Sequence, residues 1–309
     1  MGINQSRHKS KPIARKESVH SDQSVQHSTS SVNIEGRYYL VSDTGSYCLP
    51  SDEVEQDRLN SQHFSLKALL GGNVLPSIET MTPRKASVLD VGCGSGCWVM
   101  EMAIDHPEYQ ITGIDIADMF PTTIRPENVT FLLHNVVKGG LPYPDNSFDF
   151  VHLRLMIVAF RSGEWSTILT EIFRVLKPGG LLSVVETDFT EKTTDPVVEL
   201  FNSELIKAMQ ANEQDPFIGA KLNTLLQELQ YDIIEVKELF LSYELPLNPI
   251  AKEMLINWKS AILSLKPMLA HRVTTDPAQY SSAVDRYMNG ITNVGWRVKV
   301  WAYCAQKPL

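Results

Sequence analysis

The sequence predicts an α/β fold: a doubly wound, mostly parallel seven-stranded sheet with a helical lid insertion. Three observations lead there. Between residues 87 and 189 short apolar runs alternate with amphipathic helical stretches, the pattern of strand–helix–strand units. Three glycines follow the first run at once, in Val88-Leu89-Asp90-Val91-Gly92-Cys93-Gly94-Ser95-Gly96, where a strand must turn sharply into a helix. Two more strand-like runs near the C-terminus bracket a long helical stretch, which supplies the insertion.

Taken in order, residues 1–34 contain eight Ser and no Phe, Trp, Tyr or Leu, too little apolar surface to offset the entropy of ordering. They are expected to form a disordered tail, with one domain over 35–309 and order beginning near Tyr38. A helix is expected over 51–70: Asp52 with Glu55 resembles a capping box, Leu59, His63, Leu66 and Leu70 recur at helical spacing, and Gly71-Gly72 ends it. The core, 87–189, should hold strands at 87–91, 110–114, 129–133, 148–153 and 181–186. A helix carrying Trp165, Leu169, Ile172 and Leu176 on one face precedes the last of these, and Pro178-Gly179-Gly180 turns the chain into it. Helices follow at 197–212 and 218–229, then a strand at 231–243. The insertion, 249–294, shows one face of Ile250, Met254, Trp258, Ile262 and Leu265 and another of Tyr280, Val284, Tyr287 and Ile291. Residues 296–306 close the sheet, and the segments 195–213 and 249–294 together form the lid.

Composition narrows the function. At 309 residues and 43% apolar content the chain can bury a substantial core. No stretch is long and apolar enough for a membrane span, and the N-terminus lacks the charged-then-apolar pattern of a secretory signal, so a cytoplasmic protein is expected. Cys48, Cys93, Cys97 and Cys304 are too few for a disulfide framework and lack zinc spacing, so no metal is expected. The net charge is −8, but residues 1–34 carry five Lys/Arg against two Asp/Glu, which leaves −11 on the rest. So acidic a body repels phosphate backbones and argues against nucleic acid as substrate.

The glycine loop is the main chemical signal. Alone, three alternating glycines also suit plain strand–helix packing, but Asp90 sharpens the reading. A dinucleotide site prefers a G-x-x-G spacing aimed at pyrophosphate, which a carboxylate at the strand end opposes; that disfavours a nicotinamide oxidoreductase. The same carboxylate suits a ligand bearing an ammonium and a sulfonium. Asp115, in Gly113-Ile114-Asp115-Ile116, follows the next strand, where a carboxylate can accept both hydroxyls of a ribose or else cap a helix.

These residues resemble the class I S-adenosylmethionine (SAM)-dependent methyltransferases, whose fold is Rossmann-like. Asp90, Gly92, Gly94 and Asp115 fall on that family's motif positions. Leu141-Pro142-Tyr143-Pro144-Asp145-Asn146-Ser147-Phe148-Asp149 is similar to its LPFPDNSFD segment and Arg174-Val175-Leu176-Lys177-Pro178-Gly179-Gly180 to its RVLKPGG turn. The resemblance implies SAM as cofactor, bound by Asp90, Gly92, Cys93, Gly94, Gly96, Asp115, Ile116, Asn135, Val136 and Leu153. Asn135 stands where many members carry an acid for the adenine amino group; an amide can accept from that group and donate to a ring nitrogen. Upstream, Tyr47-Cys48-Leu49-Pro50-Ser51-Asp52 through Arg58-Leu59-Asn60-Ser61-Gln62-His63 resembles the entry segment of fungal methyltransferases related to LaeA-type regulators of secondary metabolism.

Methyl transfer from a sulfonium needs no protein nucleophile, since proximity and desolvation supply much of the rate. If the acceptor carries a proton, the base candidates lie at the strand ends: His152 and Arg154 after the fourth strand, Glu186 and Asp188 after the fifth. His152 has a competing reading as a core histidine, because strand alternation can turn it from the site. Tyr47, Gln62 and His63 are placed over the cofactor, although His63 equally suits packed core. Met209, Met254, Trp258, Met268, Tyr287 and Met288 suggest an apolar acceptor cavity, or else core. The expected function is methylation of a small metabolite; the alternative is a regulatory protein methyltransferase or SAM-binding scaffold working through a protein partner. Finally, Met1-Gly2-Ile3-Asn4-Gln5-Ser6 fits the myristoylation pattern and is followed by Arg7, Lys9, Lys11, Arg15 and Lys16, which together predict weak membrane association or, for the basic run alone, nuclear import.

Overall fold

The computed structural model describes residues 30–41 and 47–309. It opens with a hairpin of β1 (Ser30–Ile34) and β2 (Arg37–Val41). The two-residue turn, Glu35 at φ 51° and Gly36 at φ 84°, has both central residues left-handed, as the right-handed twist of paired strands requires. Asn33 Oδ1 accepts from Gly36 N at 3.1 Å. Order therefore reaches back to Ser30, eight residues before Tyr38, and corrects the tail boundary at residue 34. Glu-Gly is not a turn pair that sequence rules single out, and Val32 and Ile34 are the strand's only large apolar residues. Gly2 and the basic run through Lys16 lie outside the described residues.

Helix α1 (Glu53–Leu70) starts on Asp52, whose side chain accepts from Glu55 N, and stops at Gly71, left-handed at φ 82°. The reciprocal half of the capping box is not made; Glu55 Oε1 instead accepts from Arg58 Nη2 at 2.6 Å. A short helix absent from the sequence reading, α2 (Pro76–Met81), precedes the sheet.

Seven strands follow the hairpin: β3 (Ser87–Val91), β4 (Gln110–Asp115), β5 (Val129–Leu133), β6 (Phe148–Arg154), β7 (Leu176–Asp188), β8 (Asp232–Ser242) and β9 (Arg297–Gln306). Their spatial order is β5-β4-β3-β6-β7-β9-β8, with β3 to β7 parallel and β9 antiparallel to both neighbours. This is the doubly wound, mostly parallel seven-stranded sheet. The intervening helices are α3 (Cys97–Asp105), α4 (Val136–Gly139), α5 (Glu164–Val175), α6 (Pro196–Ala211) and α7 (Ile218–Glu228). The insertion divides into α8 (Pro249–Ser264), α9 (Lys266–Val273) and α10 (Tyr280–Asn293), with Pro267 in the first turn of α9 and a 3₁₀ turn before α10. Leu176 belongs to β7, opposite Phe148, not to the helix before it. The Lys177–Gly180 segment stays within that strand as an irregularity around Gly179 at φ 77°. Among the described residues no helix is long and apolar enough to cross a membrane.

Strand alternation sorts the core into two layers. Val91, Leu153 and Val184 face the layer of Trp165, Leu169, Phe201 and Tyr287, and Val88, Phe150 and Val185 face Trp98, Met102 and Ile78. β3 is buried from Val88 through Val91 on both faces, as a central parallel strand must be.

Where α7 meets β7 the backbones come close. A Cβ on Gly219 would stand 2.7 Å from the Thr187 carbonyl oxygen and 2.9 Å from Trp301 Cδ1, and Tyr303 Oη donates to Gly219 O at 2.8 Å. Gly219→Ala, a change that favours an ordinary helix by up to about 1 kcal/mol, is therefore expected to destabilise this one by about 1–3 kcal/mol. A urea midpoint lowered at unchanged slope is the expected result, and an unchanged or raised midpoint would refute the close packing.

Candidate active site

Strand order reverses between β3 and β6, so the chain leaves these neighbours in opposite directions and opens a crevice at their carboxyl ends. A cavity of about 250 Å³ lies there. Loops after β3 to β6 form its floor, and α1 and α8 cover it through side chains such as Leu59, Gln62, Met254 and Trp258.

The glycine loop follows β3. Gly92 N and Cys93 N donate to Ile114 O at 2.8 and 3.1 Å, which pins the loop to β4. Gly92, Gly94 and Gly96 all have positive φ, at 74°, 55° and 74°, a path that side chains oppose. A Cβ on Gly94 would also close to 3.2 Å on Leu59 Cδ1 of α1. Asp115, at the end of β4, accepts from Gly94 N with Oδ2 at 2.7 Å and from Ala117 N with Oδ1 at 2.8 Å. Burial raises its pKa, while these backbone donors and Ile116 N oppose the shift. Each carboxylate oxygen has a second acceptor site, so two hydroxyls can still be bound.

Of the expected cofactor set, Gly92, Cys93, Gly94, Asp115, Ile116, Asn135 and Val136 line the cavity; Asp90, Gly96 and Leu153 do not. Asp90 lies beneath the loop, 3% exposed, and burial pushes its pKa up to about 7 against the opposing pull of Arg154. Gly96 faces β5, where a Cβ would meet Phe131 Cζ at 2.7 Å. Leu153 points into the opposite core layer, fully buried. Asn135 caps α4: its Oδ1 accepts from Val137 N at 3.0 Å and Lys138 N at 3.3 Å. No helix lies between β4 and β5, so Asp115 caps none; Asn135 caps α4 after β5, and its amide nitrogen alone stays free of the cap.

The base candidates separate sharply. His152 pairs in register with Asp90 and stacks on Trp98, with centroids 4.1 Å apart, away from the cavity. Both its ring nitrogens are buried without a hydrogen bond, and burial holds its pKa well below 6.5. It shares a strand face with Arg154 but lies two residues deeper in β6, which leaves it in the core. Glu186 is also off the cavity: fully buried, it accepts from the backbone N–H of Met156 and Thr187 and so anchors the loop after β6, while burial pushes its pKa up to about 8. Arg154 and Asp188 do line the cavity. Asp188 accepts from Trp301 Nε1 at 2.6 Å and Thr190 N at 3.1 Å.

Tyr47 and Gln62 reach the cavity, whereas His63 is buried against Glu101 at 2.7 Å. Met209, Met254 and Trp258 line it; Met268, Tyr287 and Met288 pack as core. The sequence reading missed the loop 155–159 and the pair Arg58 and Asn257, all of which line the cavity. Arg58 bonds Glu55 within α1 and donates to Asn257 Oδ1 of α8 at 2.9 Å, while Asn257 Nδ2 returns a 2.6 Å bond to Arg58 O. A charged residue on the apolar face of α1 was the available signal for this tie. The glycine backbone, the part-free Asp115 carboxylate and the Arg154 guanidinium offer what a zwitterionic nucleoside ligand requires.

The fold and the site define a nucleoside-binding transferase of the Rossmann-like class. Residues 88–180 match the family described as a methyltransferase domain. The chain is 30% identical to methyltransferase str2 of Strobilurus tenacellus over 212 residues, 67% of this chain and 73% of that protein. It is 31% identical to the secondary metabolism regulator laeA of Aspergillus flavus over 53% of this chain and 43% of that one. Among solved structures it is similar to Haemonchus contortus phosphoethanolamine N-methyltransferase 2 in complex with S-adenosyl-L-methionine, at 17% identity and a TM-score of 0.48 over 81% of this chain and 57% of that one. The chain belongs to the class I SAM-dependent methyltransferases, near the LaeA-like group, and its cofactor is SAM.

Glu186 generates a pH prediction. Its carboxyl, ordinarily titrating at 4.5, is held neutral up to about 8 in the fold, so its contribution to stability is full below 4.5 and is lost as pH rises through about 8. Thermal midpoints of wild type and Glu186→Gln across that window should show wild type losing ground to the variant as pH rises. A gap independent of pH would refute the assignment.

Proposed function

We propose that this methyltransferase acts on a small, largely apolar metabolite held between β7, β9 and the helical lid. The observation that carries this reading is the wall of that half of the cavity: Leu205, Met209, Leu241, Met254, Trp258 and Trp296. Desolvating a polar peptide or a nucleotide against such a wall is unfavourable, whereas an apolar ring or chain gains about 25 cal/mol per Å² buried. Asp188 and Asp115 are the lining carboxylates, and Asp115 belongs to the cofactor side.

When bound, SAM supplies an electrophilic methyl group to an acceptor lone pair and leaves as S-adenosylhomocysteine. In this reading the Gly92–Gly94 backbone lies along the cofactor, Asp115 accepts from its ribose hydroxyls, and Ile116 and Val136 give apolar contact to the adenine. Arg154, as a guanidinium, is no base, and His152 and Glu186 stand off the cavity. Catalysis then rests on proximity and exclusion of water rather than on a dedicated general base.

A second reading, a regulatory protein methyltransferase or scaffold acting through a partner, draws support from the likeness to laeA. The two part on the product: methylated small molecules in an extract, or methylated protein and a stable partner that survives loss of SAM binding. For the N-terminus, weak membrane association through an acylated Gly2 and the five basic residues stands as the alternative to cytoplasmic or nuclear residence. An unmodified Gly2 in the mass spectrum of the native protein would dispose of the anchor.

Asp115→Ala is expected to weaken SAM binding by about 1.5–3 kcal/mol, the range of a charge-assisted hydrogen bond. Gly92→Val, whose side chain would press on Met156 and on the ligand path, should abolish it, and Asp90→Ala, which removes a buried group beneath the glycine loop, should weaken it. Unchanged calorimetric affinity in all three refutes the site. Trp258→Ala should lower turnover of the acceptor while SAM affinity stays within about twofold, because the ring lines the lid side of the cavity. A folded variant with full activity would place the acceptor elsewhere.

A further inference from the structure

Arg154 ends β6, the strand beyond β3 in the row β5-β4-β3-β6. Asn135, Asp115, the glycine loop and Arg154 therefore stand at the carboxyl ends of four neighbouring strands, a span of about 14 Å at the usual spacing. The Arg154 side chain lines the cavity. Yet among the described residues no carboxylate comes within 4.0 Å of its guanidinium; its hydrogen bond is from Nη2 to His63 Nδ1, at 3.3 Å. A guanidinium half-buried in a cavity wall is desolvated at some cost without an anion beside it.

The arrangement around it looks built for aim. Because Arg154 donates to Nδ1, the proton of neutral His63 is on Nε2, which donates to Glu101 Oε2 at 2.7 Å. Lys67 Nζ holds both Glu101 oxygens at 3.0 Å. Burial, with the nearby Arg154 charge, pulls the His63 pKa down to about 4, so the imidazole is neutral near pH 7 and adds no second cation. One of the five guanidinium N–H groups is used this way, and the others are left for a ligand. Asp90, on the same sheet face, is the carboxylate whose charge acts most on Arg154, but it makes no contact with the guanidinium within 4.0 Å.

We infer that Arg154 is the counter-charge for the α-carboxylate of the methionine part of SAM, and that His63 and Glu101 are positioning residues that aim it. The inference rests on the reading of the site given above: with ribose at β4, the methionine end extends past the glycine loop of β3 toward β6. A carboxylate of the acceptor is the competing anion. The residues that act on Arg154 in charge and contact, His63 and Cys97 with Asp90 and Glu101, belong to α1, β3 and α3 beside the glycine loop, not to the apolar half.

The test is calorimetry on the full chain with SAM and with decarboxylated SAM, which keeps the amine, the sulfonium and the adenosine. Wild type should bind the decarboxylated compound roughly ten- to a hundredfold more weakly, the equivalent of one charge-assisted hydrogen bond. Arg154→Gln should bind the two alike, and His63→Phe should shrink the preference with its circular dichroism unchanged. Wild type that binds both compounds equally overturns the inference, even if Arg154→Gln fails to fold; so does an Arg154→Gln variant that keeps the preference. If Arg154→Gln instead raises only the KM of the acceptor, the anion is the acceptor's and the inference falls. Wild type that binds neither compound defeats the SAM site as well, which separates the two failures.

Discussion

The reversal of strand order between β3 and β6 is the constraint on which the rest depends. Parallel neighbours whose connections run to opposite sides leave a gap that no sheet residue fills, and backbone N–H groups and strand-end side chains converge there. The glycines of 92–96 let the chain turn along this gap without side chains in the way. Their left-handed backbone is held by the end of β4, through Ile114 O and through the Asp115 carboxylate that accepts from Gly94 N. Asp115 is thus both a ligand candidate and a brace for the loop.

The gap becomes a closed cavity because buried polar ties hold the cover in place. Glu55, Arg58 and Asn257 link α1 to α8, and Arg37 extends the connection by pairing with Asp52 at 2.7 Å and donating to Ser264 Oγ at 3.0 Å. On the far side Trp258 Nε1 donates to Tyr287 Oη at 3.3 Å, which donates to Asn202 Oδ1 at 2.7 Å, so α8, α10 and α6 are joined in series. Breaking one member of a buried charged tie of this kind leaves an uncompensated charge, typically a loss of 3–5 kcal/mol. These ties explain the upstream segment that sequence comparison alone leaves as a string of polar letters: Asp52, Glu55 and Arg58 are the anchors of the lid.

Electrostatically the cavity is divided. One end carries the half-buried Arg154 guanidinium and the Asp115 carboxylate, with Asp90 beneath the floor; the other is aliphatic, thioether and indole, with Asp188 satisfied by its own donors. On the proposed function, desolvation sorts a charged nucleoside and an apolar acceptor to these opposite ends. Glu186, protected from the cavity, orders the β6 loop that separates the two ends.

The sequence by itself determined what short-range physics encodes. Val88 to Val91 is a continuous apolar-dominated run and becomes a central strand; glycines at 92, 94 and 96 demand a tight turn; Asp52 and Gly71 start and stop α1. These features depend on backbone conformation and local burial, and the family resemblance fell on the same residues. What only the tertiary structure decided is direction and partnership. His152 and Arg154 are two residues apart on one strand face, yet one stacks on Trp98 and the other reaches the cavity; the difference is how far each lies from the strand end, which no periodicity reports. Glu186 and His63 were read as site groups from their positions, but the backbone and side chains that claim them come from residues 1 to 38 positions away. A polar side chain bonds whatever the fold brings within about 3 Å, and that distance is set by packing rather than by sequence separation.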